Sequence, residues 1–260
     1  MSRSRLFAII TVAAASITVH AASLAPFHAD CSIRASEDPG KLSLQVDKGG
    51  CEGARHCGNN FSNESMTRFT GITLADLGRD GANLTATLAA EAGTFTCSGT
   101  VRNAELEGKA VFTPDDGFVE KMGRMGFSGY DSEKLMAYAF IGVDSAWAES
   151  MQHTGVRGIT VDNLLALKIF KIDPEYVHSI TALGYELPNA DQLVGLKVQG
   201  VNAEEVRQIR ALGYQPTIDE LVQIRIFHIT PEFIQRMQER GLKNLTIAKL
   251  VQIRIFKLDE

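Results

Sequence analysis

The amino-acid sequence predicts an α+β chain: a small N-terminal antiparallel β region with disulfides, then an α-solenoid-like array of about five helical hairpins. Three observations predict it. Gly126, Gly155, Gly184, Gly213 and Gly241 are separated by 29, 29, 29 and 28 residues, and each follows an apolar pattern that ends about one turn earlier. Before about residue 115 the grammar differs: Leu42-Ser43-Leu44-Gln45-Val46 and Leu84 to Leu88 alternate with the period of a half-buried strand. All four cysteines lie in that earlier stretch, and the repeats contain none.

The first segment stands outside both regions. Arg3 and Arg5 precede an apolar run from Leu6 to Val19, and the small residues Ala21 and Ala22 follow it. That order is the pattern of a secretory signal peptide, with cleavage expected after Ala21 or Ala22. Thr11, Ser16, Thr18 and His20 make the run a poor membrane span, which needs about 20 predominantly apolar residues. The expected organisation is a signal peptide at 1–22, a disulfide-bearing β domain at 23–115 and helical-hairpin repeats at 116–260. The protein is expected to be periplasmic or secreted, with no transmembrane span in its mature form. Hydrophobic residues at 45% and charged residues at 22% suit a packed core and exclude wholesale disorder.

In the β region, Thr94 to Val101 and Ala104 to Thr113 read as a hairpin turning near Arg102-Asn103. Asp47 to Asn63, rich in Gly, Asn and Cys, reads as a loop. Four cysteines in an exported chain imply two disulfides and allow three pairings. The favoured one joins Cys51 to Cys57 as a short local loop and Cys31 to Cys97 as the long closure.

The cleanest repeat begins at Asp173. Asp173 suits an N-cap, Pro174 the first helical position, and Glu175 the positive helix end. Tyr176, Val177, Ile180 and Leu183 form one apolar stripe, and Gly184 is placed to stop the helix in a left-handed conformation. A second helix is expected to start near Ala190 or Asp191. Trp147 to Gly155, Val206 to Gly213 and Phe233 to Gly241 repeat the pattern; Phe118 to Gly126 is a looser version, and a residue is missing before Leu221. A two-helix unit cannot bury its own stripe, so neighbours must stack.

Two stretches carry a resemblance. Thr230-Pro231-Glu232-Phe233-Ile234, Gly241 and Leu250-Val251-Gln252-Ile253-Arg254-Ile255 resemble a helical repeat of bacterial exported proteins of unknown function. Similar repeats are appended to some BlaR/MecR-like membrane metallopeptidases. Ala92-Gly93-Thr94-Phe95 and Gly108-Lys109-Ala110-Val111-Phe112-Thr113-Pro114 resemble the small β segment before such repeats. The resemblance covers about residues 65 to 260 and implies an envelope interaction or sensing module. The His-Glu-x-x-His zinc motif and the membrane helices are missing, so peptidase activity does not carry over.

The chemistry-bearing motifs are sparse. No phosphate-binding Gly-x4-Gly-Lys-Ser/Thr loop and no Gly-x-Ser-x-Gly elbow occur. His153, His178 and His228 fall at different repeat positions. His56 beside Cys57 and Cys51 fits a disulfide loop better than a metal site. Asp115-Asp116, Glu204-Glu205 and Asp219-Glu220 lie at expected helix starts, where carboxylates cap and complement the helix dipole. No catalytic residue, metal site or cofactor is expected.

One polar feature recurs by position. Lys168, Lys197, Arg225 and Arg254 share a slot of the second helix, and Lys171, His228 and Lys257 share another three residues on. Stacked, they form basic rows suited to an acidic peptide or an anionic envelope polymer. The plainer account is cations near a helix C-terminus with stems over apolar neighbours. The aromatics Trp147, Tyr176 and Phe233, and Phe170, Phe227 and Phe256, are expected in the core. Nucleic acid is not an expected partner, because Val143 to Glu260 holds 13 basic and 15 acidic residues. The sequence thus favours a non-enzymatic protein-interaction module of the bacterial cell envelope, partnered by an envelope protein or anionic polymer. The alternative is an envelope ligand or stress sensor binding a small molecule through the β domain, which needs a pocket between sheet and repeats.

Overall fold

The computed structural model describes residues 23–48 and 58–258. Seven strands form one antiparallel sheet: β1 (Phe27–Ala35), β2 (Lys41–Asp47), β3 (Gly58–Ser65), β4 (Phe69–Thr70), β5 (Asn83–Ala90), β6 (Gly93–Arg102) and β7 (Glu105–Pro114). Their order is β3-β2-β1-β7-β6-β5-β4. The one-turn helix α1 (Leu74–Leu77) lies between β4 and β5. Ten helices follow in pairs: α2 (Asp116–Arg124) with α3 (Ser132–Ile141), α4 (Ser145–His153) with α5 (Val161–Ile169), α6 (Pro174–Thr181) with α7 (Ala190–Val198), α8 (Ala203–Ala211) with α9 (Ile218–Ile226), and α10 (Pro231–Glu239) with α11 (Ile247–Ile255).

The alternation seen in the sequence sorts the sheet into two faces. Ile33, Leu42, Leu44, Leu88, Phe95, Leu106 and Phe112 are buried on the inner face, while Thr94, Thr96, Ser98 and Lys109 point outward. β6 and β7 form the expected hairpin, with Arg102 opposite Glu105. Residues 58–63 correct the loop expectation, since they belong to β3. Its sequence, GNNFSNES, has one large apolar residue and little strand propensity. Its ladder to β2, with Leu44 opposite Phe61, holds it there instead. Asp47 likewise departs from the loop expectation, as the last residue of β2, and residues 49–57, with Cys51 and Cys57, lie outside the described residues.

Cys31 of β1 and Cys97 of β6 are joined, although β7 runs between their strands. Two strand steps in a flat sheet span about 9.5 Å; here the Cα atoms are 6.1 Å apart, so the sheet curls. The inner face of β7 leaves room for the bridge. Gly108 stands opposite both Cys31 and Gly99, and Ala110 stands opposite Cys97. A Cβ at Gly108 would lie 2.0 Å from the Ser98 carbonyl oxygen.

The sheet's inner face packs on α3, which is buried at Leu135, Met136, Tyr138, Ala139 and Phe140. Phe140 stacks on Phe61 at 3.9 Å and meets Phe95 edge-on at 5.0 Å. Arg68 donates to the Phe140 and Ala139 carbonyls, both at 2.6 Å, and so satisfies the end of α3. It also pairs with Glu64, yet burial still pushes the Glu64 carboxyl up. Glu91 accepts from the Ser145 amide at 2.7 Å and from its hydroxyl at 2.5 Å, at the start of α4. Burial opposes the Glu91 charge, but the Ser145 and Lys121 hydrogen bonds outweigh it and hold the carboxyl below its usual range.

Caps follow the sequence closely. Asp115, Asp144, Asp173, Asn202 and Thr230 each accept an amide at the first helix of a pair. Gly126, Gly155, Gly184, Gly213 and Gly241 then turn the chain at φ between +77° and +90°. The second helices pack in sequence, α3 on α5, α5 on α7, α7 on α9 and α9 on α11. Two polar ladders run along the pairs. Lys134 reaches Asp162 at 2.8 Å, Asn163 reaches Asp191 at 2.9 Å, and Gln192 reaches Asp219 at 3.5 Å, all between equivalent positions. Gln152, Arg210 and Gln238 likewise donate to the Met125, Leu183 and Leu212 carbonyls one pair earlier. No helix among the described residues is long and apolar enough to cross a membrane.

Candidate binding surface

The last turns of α5, α7, α9 and α11 carry the residues singled out in the sequence. Lys168, Lys197, Arg225 and Arg254 hold equivalent places there and are half-buried rather than fully exposed. The reason lies on the first helix of each pair. Lys168 sits over the Trp147 ring at 4.5 Å, Lys197 over Tyr176 at 4.2 Å, and Arg254 over Phe233 at 4.0 Å. In the remaining pair the aromatic slot is taken by Glu205, and Arg225 forms an ion pair with it at 3.0 Å. Both arginines also tie neighbouring pairs together. Arg225 Nε donates to the Gln199 carbonyl at 2.9 Å, and an Arg254 amino group donates to the His228 carbonyl at 3.3 Å. Stems over apolar neighbours near helix C-termini therefore describe much of this row.

The second row behaves differently. Lys171, His228 and Lys257 are exposed, and each adopts a left-handed backbone, with φ of +54°, +52° and +50°. Gly142 and Gly200 occupy the equivalent positions of the other two pairs. Glycine takes this conformation without the Cβ penalty that other residues incur. At Gly200 there is a further reason: an added Cβ would lie 3.3 Å from an amino nitrogen of Arg225.

Between these rows lies a feature that the sequence reading missed. Ile169, Val198, Ile226 and Ile255 occupy one slot and are 47–52% exposed. Phe170 and Phe256 beside them are also exposed, which corrects their expected place in the core; Phe227 is half-buried, and Phe233 is buried as expected. The signal was present in the second helices. Leu164, Leu165, Leu167, Ile169 and Phe170 are more apolar side chains than one stripe of a nine-residue helix can bury. The equivalent residue of the first pair, Phe140, is the one covered by Phe61 and Phe95.

The array holds clefts between its helices. One of about 300 Å³ is lined by Ser150, His153, Pro174, His178 and Leu187, so two histidines that share no repeat position line the same cleft. Another, of about 330 Å³, is lined by Tyr176, Lys197, Gly200 and Asn202. Burial pushes the Tyr176 hydroxyl up to about 12, so it remains a protonated phenol. The paired carboxylates take the expected places. Asp115 caps α2, Glu204 and Glu205 lie in the first turn of α8, and Glu220 closes a capping box with Thr217. Among the described residues no three His, Cys, Asp or Glu side chains cluster as a metal site would require. Compared with family models, curated proteins and solved structures, the chain shows no match.

Proposed function

We propose that this chain is a non-enzymatic protein-interaction module of the bacterial cell envelope, with its helical pairs forming a short solenoid and the second-helix row as the binding face. The observation that carries the reading is the recurrence of an exposed Ile or Val at one slot in four successive pairs, with exposed Lys171, His228 and Lys257 beside it. A contiguous exposed apolar patch with a polar rim is characteristic of interaction sites. The Cys31–Cys97 disulfide and the N-terminal pattern support an oxidising compartment outside the cytoplasm. The resemblance to repeats of exported and BlaR/MecR-like proteins supports the same placement. The tight seat of Phe140 between Phe61 and Phe95 favours a rigid scaffold over a ligand-binding sheet.

The test is site-specific photocrosslinking in the native envelope. A photoreactive residue replaces Val198 or Ile226 on the apolar row, or Thr96 on the outer face of the sheet. Defined adducts from the row and none from the sheet are expected. Equal crosslinking from all three positions, or none from the row, would count against the reading. Charge reversal is best confined to Lys168 and Lys197, because reversal at Arg225 would place two carboxylates together at Glu205.

A further inference from the structure

We propose that the apolar row of α5, α7, α9 and α11 receives an extended acidic peptide with an apolar side chain at every third residue. This rests on the interaction reading and names the chemistry of its partner. The first argument is continuity with an interface already formed. In the first pair the row position is Phe140, and extended chain of the sheet's inner face covers it, through Phe61 of β3 and Phe95 of β6. The same slot continues as Ile169, Val198, Ile226 and Ile255, exposed at every step.

The second argument is spacing. Packed helices stand roughly 8–10 Å apart. A polyproline II segment has three residues per turn and rises about 3.1 Å per residue, so side chains on one face recur about every 9 Å. A β-strand repeats on one face about every 7 Å and falls out of register after one pair. The third argument is charge. Lys171, His228 and Lys257 keep a cationic or titratable side chain at left-handed positions where Gly142 and Gly200 show that glycine serves the fold. Lys168 and Lys197, half-buried over their rings, immediately precede Ile169 and Val198 and add positive charge beside the row, which favours carboxylates between the peptide's apolar anchors.

The experiment uses the full chain and a labelled peptide of roughly 12 residues, four Leu-Glu-Pro triplets for four pairs. Comparison peptides place Leu at every fourth residue, replace Glu by Gln, or arrange Leu in helical heptads; vesicles of anionic phospholipid form a further arm. Preference for the triplet peptide by about tenfold or more is expected. The variant combining Lys171→Gly, His228→Gly and Lys257→Gly should bind it about tenfold more weakly without a lowered melting temperature. Ile169→Ser with Ile226→Ser should weaken it similarly. Equal binding of the fourth-residue or Gln peptide, preference for the heptad peptide or the vesicles, no binding of the triplet peptide, or unchanged binding by the glycine variant would each overturn the proposal. The interaction reading itself is judged by the crosslinking, whose outcome does not depend on these peptides.

Discussion

In the sheet, Cys31 reaches over β7 to a partner 66 positions along the chain; in the array, the side-chain links between pairs join residues 23 to 31 positions apart. The two regions therefore fail differently. A sheet curled beneath the Cys31–Cys97 bridge, with Gly99 and Gly108 facing each other, should lose its inner face as a unit. An array whose second helices pack in sequence should lose stability in smaller increments.

The sharpest way to break the sheet is Gly108→Val. The added Cβ meets the Ser98 carbonyl and the branched side chain fills the space under the bridge. A loss above about 5 kcal/mol is expected, combining steric strain with loss of the disulfide. Thiol labelling should then find Cys31 and Cys97 reactive, and an oxidised, normally stable variant would refute the account. Phe140→Ala attacks the seam between the regions and should cost about 3–5 kcal/mol in chemical denaturation. It should also separate the unfolding of sheet and array into two transitions.

Inside the array the effects shrink. Arg225→Ala leaves Glu205, whose side chain is only 15% exposed, without its cation, and should cost roughly 1–3 kcal/mol. Lys197→Ala removes only a cation over the Tyr176 ring and should cost about 0.5–1 kcal/mol. Equal melting temperatures for these two variants would erase the distinction between the ion-paired and the stacked sites. At the seam, Glu91 has a folded-state pKa below its usual value. It contributes stability above the usual carboxylate range and loses it as pH falls through the folded value. Glu64, held above its usual value, acts in the opposite sense. Glu91→Gln should thus flatten the acid limb of the stability profile, and an unchanged limb would discount this contact. The last effect has the reverse sign. Lys171→Gly relieves a left-handed residue at some entropic cost and should stabilise by roughly 0.5–1 kcal/mol in thermal melts.

The repeat, its caps and its terminal glycines were legible because each is a local choice. Asp173, Pro174 and Gly184 announce a helix that needs no distant partner to be recognised. The Cys31–Cys97 bridge was favoured on chain spacing, but its passage over β7 was not foreseen, because register decides that Gly108 lies opposite Cys31. Residues 58–63 read as loop in the sequence because a distant strand, not their own composition, makes them extended. The exposed apolar row was hidden for a related reason. A periodic Ile reads as core until the neighbouring element that would cover it is found, and only Phe140 has such a cover. The basic row was visible as a row, but the rings and the Glu205 carboxylate that occupy it lie on another helix.

Trp147 with Lys168, Tyr176 with Lys197, Glu205 with Arg225 and Phe233 with Arg254 are one pair of positions written four times. Such copies are what tandem duplication leaves behind, and the slot admits two partners for its cation: a ring at Trp147, Tyr176 and Phe233, and a carboxylate at Glu205. Because each pair closes within its own unit, the genetic event that copies a unit also copies a solved packing problem. Array length is then a variable that selection can alter by whole units without redesigning any one of them.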